Sequence, residues 1–205
     1  MKLFYAPNAC SMGVHLLLEE IGEPYELEKI DFASGAQYKA PFVEINPKSK
    51  VPVLQRDDGS YLTEFPAIAL YLARTKPAAG LLPAGLDAES RALELLDYLI
   101  ATVHMRGFTR IFRPAVFAPG AADEEWVKQA GRDIIAKAFD LLVPALGEQD
   151  YILGKFSIVE AALFFLEYWA RTRAKIQMPE TFEAHLDRLL ARPATIRMLK
   201  AEGLV

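Results

Sequence analysis

The sequence has a single cysteine, Cys10. An intramolecular disulfide is therefore excluded, as is a zinc site built on several thiolates. Only three histidines occur, scattered at His15, His104 and His185, and no paired carboxylate spacing offers a metal site in their place. Positive charge is not in excess: 23 Lys and Arg stand against 27 Asp and Glu, a formal net charge of −4. A nucleic-acid partner is disfavoured on that balance. Long apolar runs are missing too. The longest in the C-terminal half, around Ala161–Leu166, is far too short to cross a bilayer, so no membrane partner is expected. The opening MKLFYAPNAC lacks a secretory apolar region with a cleavage site, which points to the cytoplasm. There is no G-x-G-x-x-G, P-loop, H-E-x-x-H or G-x-S-x-G. What remains is an ordinary globular composition, 205 residues with 52% hydrophobic, enough for two small domains.

Two textures divide the chain. Up to about Arg74, short apolar runs alternate with helical patterns. Leu3–Tyr5 reads as a strand, and Val14, Leu17, Leu18 and Ile21 form a stripe at i, i+3, i+4 and i+7 that Gly22 ends. Tyr25–Ile30 reads as a second strand and Gln37–Ile45 as a weaker helix. Val51–Gln55 and Ser60–Thr63 flank Asp57-Asp58-Gly59, a hairpin signal because Asp-Gly tolerates positive φ. A further helix starts near Pro66, with Ile68, Tyr71 and Leu72 on one face. The order βα-β-α-ββα is that of a thioredoxin-like α/β domain with a mixed sheet. We expect it over residues 1–75, a Pro/Gly-rich linker over 76–86, and an all-helical domain over 87–205. In that domain Leu93, Leu96, Ile100, Val103 and Gly107 mark one long helix stopped by Pro114. Ile135, Ala138, Phe139, Leu142 and Leu146 mark another, and Ser157–Trp169 is apolar nearly all round, as for a helix buried on every side. Ser157 and Glu160 fit a capping box.

Cys10 falls between the first strand and the first helix, where unpaired N–H groups and the helix dipole favour thiolate and should lower its pKa. The competing reading is a cysteine packed as a small hydrophobe; the junction position favours the reactive one. Gly13 stands where a Cys-x-x-Cys motif would place its second thiol, so disulfide exchange needs an external thiol, for which glutathione is the cytosolic candidate. Pro52 begins a strand, and the sequence leaves its cis and trans forms open. Glu64 is either a surface acid complementing the dipole of the third helix or a ligand for an ammonium group. His104 sits mid-helix on a stripe with Asp97, Ala101 and Phe108, a place where histidine more often packs than reacts. His15 and His185 have still less claim.

These pieces resemble a bacterial beta-class glutathione S-transferase, nearly end to end. MKLFYAPNACS is similar to the family's opening strand and cysteine loop, INPKSKVPVL to its cis-proline segment, and LTEFPAIALYLA to its glutathione-binding helix start. LLDYLIATVHMRGFTRIFRP resembles the first long helix of the helical domain, YILGKFSIVEAAL the capped buried helix, and LKAEGLV the common ending. The resemblance implies that Cys10, with Ser11 beside it, faces the glutathione sulfur. It implies that Val51 pairs its backbone with the cysteinyl part ahead of cis-Pro52, and that Glu64 and the backbone of Phe65 hold the γ-glutamyl end. His104 would lie near the thiol and the second-substrate pocket, and Asp97 would reach glutathione from the partner subunit of a homodimer. Phe65, Ala101, Met105 and Glu160 depart from the usual Ser or Gly, Ser, Lys and Asp. Phe65 and Met105 imply a more apolar pocket and weaker glutathione binding.

The resulting expectation is an enzyme that takes glutathione as co-substrate and a small hydrophobic electrophile or a disulfide as its second substrate. Met12, Phe108, Phe112 and Trp169 are the apolar candidates for a cleft between the domains. Conjugation by the glutathione thiolate and thiol exchange through Cys10 are both open. A specialised glutathione-dependent reductase or dehalogenase is the alternative of the same fold, and a non-catalytic glutathione-binding or regulatory protein the alternative of another class.

Overall fold

The computed structural model describes all residues, 1–205, and they form two compact units: Met1–Leu82 with Leu190–Val205, and Pro83–Leu189.

In the first unit the chain runs β1 (Lys2–Tyr5), α1 (Ser11–Ile21), β2 (Glu26–Lys29), α2 (Phe42–Ile45), β3 (Val53–Gln55), β4 (Tyr61–Thr63) and α3 (Phe65–Thr75). The sheet order is β2-β1-β3-β4, with β1 parallel to β2 and antiparallel to β3, and β3 antiparallel to β4. This is the thioredoxin-like arrangement read from the sequence. Central β1 has Leu3, Phe4 and Tyr5 all buried, as a strand covered on both faces requires. One face carries a cluster of Phe4, Ala6, Ile30, Phe42, Val51 and Val53. The Asp57-Asp58-Gly59 turn closes with Arg56 N–H donating to the Ser60 carbonyl at 2.8 Å, and Gly59 takes the φ of 84° that the turn demands.

Two details differ from the sequence reading. The helix expected over Gln37–Ile45 is broken into a 3-10 turn, Ala36–Tyr38, and the short α2. Pro41 has no N–H to continue the ladder and disfavours helical backbone in the residue before it. The last helix, α9 (Pro193–Glu202), packs on α1 and belongs to the first unit rather than to the helical one. With α3 also against it, α1 is buried from Ser11 through Leu18, well beyond the stripe its periodicity shows.

No strand occurs beyond β4. The second unit contains α4 (Leu86–Asp97), which continues as a π-helical stretch (Tyr98–Phe108) into α5 (Thr109–Phe112) and stops before Pro114. It also contains α6 (Glu124–Leu146), α7 (Ile158–Trp169) with a π-helical end (Ala170–Ala174), and α8 (Glu180–Leu190). The π stretch widens the helical turn and moves the buried line to Leu96, Leu99, Val103, Gly107 and Phe108, so Ile100 is only partly covered. Gly107 and Gly131 let this helix meet α6 at backbone contact: a Cβ on Gly131 would lie 2.7 Å from the Gly107 carbonyl oxygen. Every residue of α7 except Tyr168 is buried. Its N-cap is Ser157, whose Oγ accepts from Val159 N–H at 3.1 Å. The capping box is modified, however. Glu160 accepts the Ser157 hydroxyl at 2.5 Å and the Ile152 N–H at 2.9 Å, tying the preceding loop to the helix start. No helix is long and apolar enough to cross a membrane.

Candidate functional site

The turn from β1 into α1 carries Cys10 and is held from within. Ser11 is fully buried; its hydroxyl donates to the Ala6 carbonyl at 3.2 Å and accepts the Ala6 N–H at 3.3 Å. That occupies Ser11 in closing the loop. Asn8, at φ 58°, donates its N–H to Glu202 Oε2 of α9 at 3.1 Å. Cys10 follows as the N-cap of α1 and already has helical backbone angles, φ −59° and ψ −18°. Its Sγ donates to the Val51 carbonyl at 3.4 Å.

The thiol does not have the lowered pKa expected of a helix start. Burial pushes it up to about 12, against the lowering effects of its own and Ser11's backbone N–H groups and of Lys50, and Glu64 adds to the rise. Desolvation of the sulfur outweighs the helix start here, and the neutral thiol keeps an acceptor in the Val51 carbonyl.

Val51 and Pro52 are buried, and the bond between them is cis. Glu64 joins β4 to α3 with φ 70° and ψ 128°, a conformation that non-glycine residues rarely adopt and that is kept where function or surroundings require it. Its exposed carboxylate holds an ammonium group of the chain itself: Lys48 Nζ lies 2.5 Å from Glu64 Oε1 and 2.6 Å from Thr63 Oγ1. Phe65 opens α3 with its side chain in the core, 4% exposed. The ring therefore does not stand where a ligand-facing hydroxyl would, and Phe65 can serve a ligand only through its backbone.

Cys10, Val51, Pro52, Glu64 and Phe65 thus lie together in the first unit, whereas Asp97 and His104 belong to the second. Asp97 is exposed. His104 is half-buried, its ring 5.3 Å from that of Trp169 and 5.4 Å from that of Phe165. Trp169 is the hub of an aromatic cluster that also includes Phe108 and Phe112, each 5.5 Å away. Of the apolar residues proposed for a substrate cleft, Met12 and Phe108 are fully buried and Trp169 nearly so; Phe112 keeps accessible surface. Met12 and Phe108 are core residues, because the surroundings of α1 and of the π stretch close over them.

Sequence reasoning passed over the residue that ties this loop down. His15 is fully buried, with Nδ1 2.9 Å from Glu202 Oε1 and Nε2 2.9 Å from the Tyr25 hydroxyl, which donates to Glu19 at 2.5 Å. Arg197 of α9 donates to the other Glu19 oxygen at 2.5 Å. The one available signal was His15 lying one position past the apolar stripe of α1. Nothing in the spacing connects it to Glu202, 187 residues away.

The family model for the N-terminal domain of glutathione S-transferase matches residues 9–75. Over the whole of both chains, the sequence is 35% identical to the glutathione S-transferase GstA of Escherichia coli O157:H7. The chain belongs to the glutathione S-transferase family. The transferase is also similar to two solved structures, each matched over 100% of both chains. One is a sphingomonad glutathione S-transferase complexed with glutathione (36% identity, TM-score 0.85). The other is the bacterial beta-class enzyme of Sphingomonas chungbukensis (33%, TM-score 0.84). The class read from the sequence motifs is thus the class of the Sphingomonas chungbukensis relative.

Proposed function

We propose that the transferase conjugates glutathione to hydrophobic electrophiles, with Cys10 acting as a thiol hydrogen-bond donor and not as the attacking nucleophile. The carrying observation is the Cys10 thiol itself, half-buried, hydrogen-bonded at Val51 and pushed up to about 12 by burial. A group that keeps its proton at neutral pH is suited to give a hydrogen bond to a neighbouring thiolate. In this reading glutathione docks on the first unit. Its cysteinyl backbone pairs with Val51 ahead of Pro52, and its γ-glutamyl end meets Glu64 and the Phe65 backbone. The glutathione cysteinyl N–H takes over the Val51 carbonyl and frees the Cys10 S–H; the glutathione thiol releases its proton to solvent, and its sulfur, held by that S–H, attacks the electrophilic carbon. A C–S bond forms as the leaving group departs with its electron pair, and Cys10 ends unchanged. Ser11 acts by holding the loop. The helical domain supplies the recognition of the electrophile, with His104 its candidate catalytic residue. We further propose a cytoplasmic homodimer in detoxification, with Asp97 reaching the glutathione of the partner subunit.

Thiol exchange through Cys10 ranks second, since attack on a disulfide needs the thiolate that burial suppresses. Parallel assays separate the two: conjugation of 1-chloro-2,4-dinitrobenzene, and glutathione-dependent reduction of hydroxyethyl disulfide. Cys10→Ala should lower conjugation by no more than about tenfold, as expected for loss of one hydrogen bond, and abolish whatever exchange the wild type has. Equal loss of both activities would overturn the donor role.

A further inference from the structure

We infer that Lys48 binds the α-carboxylate of the γ-glutamyl group, its ion pair with Glu64 opening so that each partner takes the opposite charge of the incoming amino-acid zwitterion. This rests on the proposed docking of glutathione at Glu64. The α-carbon of that group carries an ammonium and a carboxylate side by side, and Lys48 and Glu64 are a charge-matched pair at the junction of β4 and α3. Both side chains reach solvent, 49% exposed for Lys48 and 61% for Glu64, so exchanging their mutual contact for ligand contacts costs little. The Glu64 backbone is held at φ 70° and ψ 128° between β4 and α3. Lys48 has a long flexible stem and remains anchored at the junction by Thr63 Oγ1 at 2.6 Å when Glu64 lets go.

Beyond backbone N–H groups, the first turn of α3 offers a carboxylate no side-chain donor. Phe65 has turned its side chain into the core, and Pro66 has no N–H to give. Lys48 is the cation in contact with Glu64 and Thr63 at this junction.

Calorimetric titration of the full-length protein tests this with two tripeptides, glutathione and 4-aminobutyryl-cysteinyl-glycine, which lacks only the α-carboxylate. Lys48→Met should weaken glutathione binding by about three- to tenfold, the range for a charged hydrogen bond at a partly exposed site. It should leave the decarboxylated ligand within about twofold, and Lys48→Arg should restore most of the glutathione affinity. The pair is exposed, so the melting temperature of each variant should match that of the wild type. Equal weakening for both ligands, or unchanged or tighter glutathione binding by Lys48→Met, would overturn the inference. Absence of wild-type binding to glutathione would instead overturn the docking on which it rests.

Discussion

Cys10 is the only thiol in the chain, so its alkylation by iodoacetamide can be followed by intact mass without ambiguity. Its pKa, raised by burial from 9.0 to about 12, lowers the thiolate fraction at pH 7 by about a thousandfold relative to an ordinary cysteine. A more basic thiolate is also a better nucleophile. With a Brønsted coefficient of about 0.4–0.5, a rise of three in pKa returns a factor of about sixteen to thirty. The two effects leave Cys10 about thirty- to sixtyfold slower than free N-acetylcysteine at pH 7, before any steric term. The rate should still be climbing at pH 10, where the free thiol has nearly levelled off. The same shift has a stability consequence of fixed sign. Because the folded thiol holds its proton more tightly, its contribution is complete below pH 9 and is lost as pH rises toward 12. A rate that levels off below pH 8, or equals that of the free thiol at pH 7, would refute the argument that desolvation outweighs the helix start.

Three further substitutions probe buried groups. Glu202→Ala removes the partner of fully buried His15 and the acceptor of the Asn8 N–H; we expect a loss of about 3–5 kcal/mol and a thermal midpoint lower by about 6–20 °C, and a loss under about 1 kcal/mol would contradict it. In the second unit, Glu167 faces His185 Nδ1 at 2.8 Å with Glu160 and Arg171 nearby, and burial pushes its carboxyl up from 4.5 to about 7. The native state then holds that proton more tightly, so the contribution is complete below pH 4.5 and is lost as pH rises through 7. Glu167→Gln cannot titrate, and urea unfolding should show wild-type stability falling relative to the variant between pH 5 and 8; a pH-independent difference would count against this. Phe65→Ser exchanges a buried ring for a hydroxyl in the core, so it should cost about 3–5 kcal/mol and lower the thermal midpoint rather than improve the site; a midpoint within 2 °C of wild type would show that the ring is not packed as described.

The parts of the fold legible in the sequence are those that local rules decide. The β1–α1 order, the Gly22 stop, the Asp-Gly hairpin and the Pro66 helix start each depend on a few neighbouring residues, and each is where the pattern puts it. What the pattern could not show depends on contacts between distant segments. The burial of α1 on its second side comes from α9, more than 170 residues later, and only that contact explains why His15 needs a partner and finds it in Glu202. The buried line of the long second-unit helix departs from the apolar stripe at Ile100 because a π-helical turn changes the period on which stripe-reading relies.

At the candidate site the difference lies in the direction of side chains rather than in their position. Cys10, Val51 and Glu64 sit where their neighbours in sequence indicate, yet the chemistry inferred for Cys10 reversed sign. A helix start lowers a thiol pKa only if the sulfur remains solvated; a half-buried sulfur with the Val51 carbonyl in reach is better off neutral. Phe65 followed the same logic. As a letter in the motif it looked like an apolar intruder at a polar contact, but a ring at the first position of α3 can turn inward and leave the contact to another group. The cation that remains at that junction, Lys48, lies in a segment read for Val51 and Pro52 alone. Substitutions that look disabling by type can therefore be neutral by geometry, and a departure from a motif is informative only once the direction of the side chain is known.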